Sequence, residues 1–96
     1  MDTDRVDAAY YEQLAGQLRG LVIRLGDRLG PSDADLISEF IDHNELGLAL
    51  EQIADVLSES ATQLDTCERS DMLVLGRRMG IDARVASALR GCPDRA

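Results

Sequence analysis

Residues 39–59 read EFIDHNELGLALEQIADVLSE, and their spacing decides the fold class. Phe40 and Ile41 close one apolar stripe, His43-Asn44 breaks it, and Leu46, Ala49, Leu50, Ile53 and Leu57 open a second with helical steps of three and four. Asn tolerates the left-handed conformation that ends a helix and also caps the helix that follows. The stretch therefore reads as the end of one helix, a tight turn and a second helix. Carboxylates cover the sides that the apolar residues leave free.

Working outward, the same grammar recurs. Upstream, Val6, Tyr10, Leu14, Leu18, Leu21, Leu25 and Leu29 step by three or four, so one long helix is expected over 3–29. Thr3 or Asp4 is expected to cap it, with Asp4 and Asp7 placed favourably in its first turn. Gly16 and Gly20 share a face, where a neighbouring helix is expected to come close. Gly30-Pro31 ends the element, and Ser32 is expected to cap a second helix that buries Leu36, Ile37, Phe40 and Ile41. Downstream, Asp65 with Glu68 three residues later has the form of a capping box. The helix that it starts should bury Met72, Leu73, Leu75 and Met79 and stop at Gly80. Asp82 is expected to cap a last short helix holding Val85, Ala86 and Leu89, with a mobile tail from about residue 91. No strand-like alternation occurs. The expected fold is all-α: a single domain over residues 1–96, a bundle of about five helices with short loops. A chain of this length can bury about 64% of its extended surface, enough for one helical core without metals or disulfides.

Charge is the other strong signal. The net charge is −8, from 18 acids against 10 bases. All the bases are Arg, and their distribution is uneven. Residues 1–28 carry five acids and four Arg, residues 29–68 carry ten acids and no base, and residues 69–96 carry three acids and six Arg. Within the acidic run, Asp35, Glu39 and Asp42 follow one side of the second helix. Glu45 stands at the turn, and Glu51, Asp55 and Glu59 form an i, i+4, i+8 ladder on the third. Like charges at that spacing cost a few tenths of a kcal/mol per pair. Rows of unpaired carboxylates that weaken their own helices make sense if something basic meets them. Asp35, Glu39, Asp42, Glu45, Glu51, Asp55 and Glu59 are therefore the expected partner-binding residues. One of Tyr10 and Tyr11 must point outward, where it can anchor a partner.

Other chemistry is not supported. Acids on solvated helix faces lack the cleft and shifted pKa values of an acid–base pair, and no nucleophile stands beside a base, so an enzyme is not expected. Asp42-His43-Asn44-Glu45-Leu46-Gly47 matches part of a calcium loop, but Leu46 and Ile53 fall where oxygen ligands are required. His43 is the only histidine, so no zinc-ligand spacing exists. No metal or cofactor is expected. A recognition helix carrying Glu45, Glu51, Asp55 and Glu59 would be repelled by phosphate, which argues against direct nucleic-acid binding. The opening MDTDRVD places acids where an export signal needs positive charge, and no apolar stretch approaches the ~20 residues that span a bilayer. A cytoplasmic protein with Cys67 and Cys92 reduced is expected, a Cys67–Cys92 disulfide being the minor alternative.

Phe40-Ile41 followed by Glu45-Leu46-Gly47-Leu48-Ala49-Leu50-Glu51 resembles the small helical immunity proteins of bacterial polymorphic toxin systems, in particular the MafI-type family. The similarity covers about a quarter of the chain, residues 36–57. It implies a cytosolic antidote that binds and blocks one cognate toxin domain, often a nuclease. It implies no contact residues. The alternative from the residues themselves is a helical adaptor or self-associating regulatory domain. In such a homodimer the acidic centre of one copy would pair with the Arg-rich end (Arg77, Arg78, Arg84, Arg90) of another.

Overall fold

Leu14, Leu18, Leu21, Leu25 and Leu29 are buried along one side of the first helix in the computed structural model, which describes residues 3–95, with side chains from residue 8. This is the stripe that the spacing predicts. Tyr10, one turn earlier, is already exposed. The roles expected of Thr3, Asp4, Val6 and Asp7 fall on side chains outside the described residues. The helices are α1 (Thr3–Leu25), α2 (Pro31–Asp42), α3 (Leu46–Glu59), α4 (Thr66–Arg78) and α5 (Asp82–Leu89), with a 3-10 turn at Gly26–Arg28. No strand occurs among the described residues, so the molecule is a small all-α bundle.

The apolar grammar of α3 puts it at the centre. Leu46, Ala49, Leu50, Ile53, Ala54, Val56 and Leu57 are all buried, covering nearly half of its circumference. That leaves α3 free to pack against α1, α2, α4 and α5 at once. α2 is its antiparallel neighbour and contributes Ile37 and Ile41 to the core. Phe40 is half-buried and Leu36 exposed, so the expected four-residue stripe is narrower than its spacing suggests.

The helix ends follow from backbone chemistry. Three of them share one geometry, in which a residue just past the helix takes the left-handed conformation and two amides turn back onto the last-turn carbonyls. After α2, Asn44 (φ 59°) donates to Ile41 O and Glu45 to Phe40 O. After α4, Gly80 (φ 72°) donates to Arg77 O and Ile81 to Gly76 O. After α3, Ala61 (φ 47°) donates to Ser58 O and Thr62 to Leu57 O. Asn and Gly are residues that such a turn selects; Ala is not.

Starts of helices hold one confirmation and two corrections. Asp65 Oδ1 accepts from Glu68 N (2.7 Å) while Asp65 N donates to Glu68 Oε1 (3.1 Å), completing the expected box. Ser32 does not cap α2. Gly30 occupies that position at φ 80°, and Pro31 follows as the first helical residue, where its missing N–H costs nothing. Asp82 does not cap α5 either; Ile81 does so without a side-chain bond, and Asp82 is the first helical residue, where its charge still suits the helix dipole.

Two further expectations are revised. A Cβ at Gly16 or Gly20 would meet nothing within 4 Å, so no helix approaches closely there. The close approach is at Gly76, where a Cβ would lie 3.2 Å from Asp82 Cα and from Val85 Cγ2 across the α4–α5 crossing. The chain after residue 91, expected to be mobile, is tied down. Leu64 N donates to Pro93 O (3.0 Å) and Arg95 N to Leu64 O (2.9 Å). Arg69 donates to Leu89 O (3.0 Å) and Cys92 O (2.8 Å). Burial of Cys92 pushes its thiol up from the ordinary range, and both Cys92 and the exposed Cys67 are free.

The molecule extends 48 × 25 × 18 Å. At the start of α1, every side chain from Ala8 to Gln13 is exposed, on all sides of the helix, before Leu14 begins the buried stripe. No helix of the described residues is long and apolar enough to cross a membrane.

Candidate protein-binding face

The α2–α3 hairpin has a defined register. At the turn Phe40 O accepts from Glu45 N (2.8 Å), and at the far end Gln52 Nε2 donates to Asp33 Oδ1 (3.4 Å). Between these two ties lie Leu36 on α2 and Leu48 on α3. Both are exposed, Leu48 at 48%, and they lie outside the core that Ile37, Ile41, Ala49, Leu50 and Ile53 form beneath them.

The expected carboxylates lie on the same two helices and their turn, but not as one unpaired sheet. Asp35 and Glu39 are exposed on α2, Glu45 at the turn, and Glu59 at the end of α3; Glu51 is half-buried. Among the described residues no basic side chain pairs with these five. Asp42 differs. It is turned toward α1, where Arg19 Nη2 lies 2.6 Å from its Oδ1. Asp55 differs too: Arg84 Nη2 from α5 reaches both of its oxygens, at 2.9 and 2.7 Å. Those hydrogen bonds, then the fields of Asp55 and Glu51, raise the Arg84 guanidinium above its ordinary pKa. The middle rung of the Glu51–Asp55–Glu59 ladder is thus neutralised, which corrects the expectation of an uninterrupted charged row.

Glu68, counted by sequence in the same acidic run, is only 5% exposed and belongs to a structural tie. Arg28 Nη1 and Nη2 grip its two oxygens at 3.0 and 2.5 Å. In each case the Arg comes from outside the run, 23, 29 or 40 residues away, so no local pattern announces the pair. Leu48 did have a local signal. It precedes Glu51, Asp55 and Glu59 at steps of three, four and four, on the outward side of α3.

Elsewhere the surface offers hollows but little chemistry. A groove of about 490 Å³ between α1 and α4 has an apolar floor of Leu21, Val74 and Leu75 and is bridged by Arg24 and Asp71 at 2.7 Å. A second, of about 310 Å³, lies beside Tyr10, Tyr11, Asn44 and Arg78, and Tyr10 Oη donates to Arg78 O (3.2 Å). Both tyrosines are exposed, where one was expected to be. His43 is exposed at the end of α2. Among the described residues no group of three or more His, Cys, Asp or Glu side chains is placed to hold a metal ion.

No protein-family model matches the chain, and neither a curated protein nor a solved structure is significantly similar to it.

Proposed function

We propose that this chain is an immunity protein, which binds and neutralises a cognate bacterial toxin domain by laying the outer face of the α2–α3 hairpin on a basic surface. The observation that supports the reading is the composition of that face. Exposed Leu36 and Leu48 share the hairpin with Asp35, Glu39, Glu45, Glu51 and Glu59, and these five carboxylates have no basic partner among the described residues. An apolar centre with a charged rim is the usual anatomy of a protein interface. A catalytic cleft that holds phosphate with cations, as in a nuclease, presents the complementary charge. Carboxylates seated there exclude the substrate without chemistry of their own, and the protein acts in the cytoplasm as a binder. The −8 net charge adds long-range attraction for such a partner.

The test is association kinetics with the purified toxin domain. The rate constant is expected to fall by about tenfold or more between low and high ionic strength, because charges beyond a Debye length of ~10 Å are screened. An on-rate insensitive to salt overturns electrostatic docking. Toxicity unchanged by co-expression of this chain overturns the immunity reading itself.

A further inference from the structure

We infer that residues 92–95 form a strap that opens and closes apart from the helical core, with Arg69 as its latch and the Cys92 thiol as the group that opening uncovers. The strap leaves α5 at a last turn, in which Gly91 N donates to Ala88 O (3.1 Å) and Cys92 N to Leu89 O (3.0 Å). Beyond that turn no helix holds it. It runs parallel to the segment before α4 and meets it in a single bridge between Leu64 and Asp94. Leu64 N donates to Pro93 O (3.0 Å) and Arg95 N to Leu64 O (2.9 Å), so the strap supplies a partner to each backbone group of Leu64.

Two observations set the strap apart from the core. Its side chains contribute little burial: Cys92 is 5% exposed, but Pro93, Asp94 and Arg95 are all exposed. A segment with few buried apolar contacts opens at a far lower free energy than the whole molecule unfolds. Its side-chain ties are also concentrated on one residue. Arg69, half-buried on α4, donates to Leu89 O (3.0 Å) and Cys92 O (2.8 Å), and its Nη2 lies 2.9 Å from Asp94 Oδ1. A guanidinium can hold several acceptors at once because its donors are fixed in one fork. Among the described residues no other side chain hydrogen-bonds to the strap.

The two states differ in chemistry. With the strap closed, Cys92 is covered and burial pushes its thiol up, so little thiolate forms and reagents lack access. With the strap open, Cys92 is an ordinary solvated thiol, and water takes over the bonds to Leu64. Gly91 is the pivot. A Cβ there would run into Ser58 Oγ and lie 3.4 Å from Ser58 Cβ and O, so the small residue lets the strap leave close against the end of α3. Gly91 thus sets where the strap departs, and Arg69 where it lands.

Labelling with N-ethylmaleimide under native conditions tests the strap, in a Cys67→Ser background where Cys92 is the only thiol. Below the unfolding transition the labelling rate is expected to stay nearly flat as urea rises, because local opening exposes little surface. Arg69→Ala should raise the rate about tenfold or more, as loss of charge-assisted hydrogen bonds does. Gly91→Val, which forces a branched side chain against Ser58, should raise it from the other end of the strap. In both variants the rise should exceed any fall in global stability read from urea melts, which also report that each variant is folded. Labelling that follows the full urea dependence of global unfolding from the outset overturns the inference. So does a rate unmoved by Arg69→Ala, or one whose rise is matched by an equal loss of global stability, which would make the strap part of the core. None of these outcomes depends on binding a toxin.

Discussion

Arg28 and Glu68 form a two-pronged ion pair that joins the 3-10 turn after α1 to the first turn of α4, 40 residues on. The same Glu68 carboxylate accepts from the Asp65 amide to close the helix cap, and the same guanidinium donates to the carbonyls of Arg24, Leu25 and Gln63. One pair thus ties together the end of α1, the loop before α4 and the first turn of α4. The hydrogen bond from Arg28 holds the Glu68 carboxyl below the usual carboxylate range, although burial works to raise it.

Glu68→Gln should therefore lower stability by about 2 kcal/mol at neutral pH, since it leaves Arg28 without its charge partner in a partly buried site. The pH dependence has a definite sign. A carboxyl whose pKa is depressed by folding contributes fully above its unfolded value of ~4.3, and the contribution is lost as pH falls through the lower folded value. Urea unfolding at a series of pH values should show a constant gap between wild type and variant down to about pH 5, then a gap that closes with acid. A gap that widens toward acid would contradict the assignment.

Ala61→Gly should stabilise the protein. Ala61 sits at φ 47°, where a Cβ crowds the following carbonyl, yet the turn after α3 needs that conformation to satisfy the Leu57 and Ser58 carbonyls. Relief of the left-handed strain is worth 1–2 kcal/mol, and the extra freedom of Gly in the unfolded chain takes back part of it, leaving a gain of about 0.5–1 kcal/mol. Thermal or urea melts read the sign directly.

The glycines of α1 and α4 should answer Ala substitution with opposite signs. Gly20→Ala meets nothing within 4 Å and should gain about 0.5–1 kcal/mol of helix propensity. Gly76→Ala drives a methyl against Asp82 Cα and Val85 Cγ2 at 3.2 Å, and neither a backbone atom nor a branched side chain yields easily. Overpacking of that kind costs about 1–3 kcal/mol, so the helix-propensity gain is overridden and the variant should melt at lower urea than wild type.

These cases mark where the sequence was readable. The buried leucines of α1, the buried stripe of α3 and the Asp65–Glu68 box depend on neighbours three or four residues apart, and all were legible. The Asn44 and Gly80 turns were legible because the residue type itself signals positive φ. Ala61 adopts the same turn with no such signal, since Ala occurs anywhere in a helix. The Arg19–Asp42, Arg28–Glu68 and Arg84–Asp55 pairs exist only once helices have packed. For that reason a run of ten acids looked uniformly unpaired when three of its members were not. Leu36 was misplaced for a related reason: its spacing fits the α2 stripe, and only the register of the hairpin shows that Ile37 and Ile41 fill the space beneath it.

That distinction predicts which carboxylates matter to a basic partner. Asp42 and Asp55 already spend their charge on Arg19 and Arg84, so their replacement by Asn should change association rates little and act only weakly through the fold, as exposed pairs do. Asp35, Glu39 and Glu59 have no such partner among the described residues and should carry the long-range attraction. Glu39→Lys with Glu59→Lys should slow toxin-domain association by about tenfold at low salt and flatten its salt dependence, with thermal stability preserved. Leu48→Ala, on the same outer surface, should instead speed dissociation and leave the on-rate nearly unchanged, because burial acts after contact is made. If Asp42→Asn and Asp55→Asn slowed association as much as the Glu39/Glu59 reversal, the paired and unpaired acids would be equivalent. The binding face would then have to be redrawn toward the α1 and α5 sides of the hairpin.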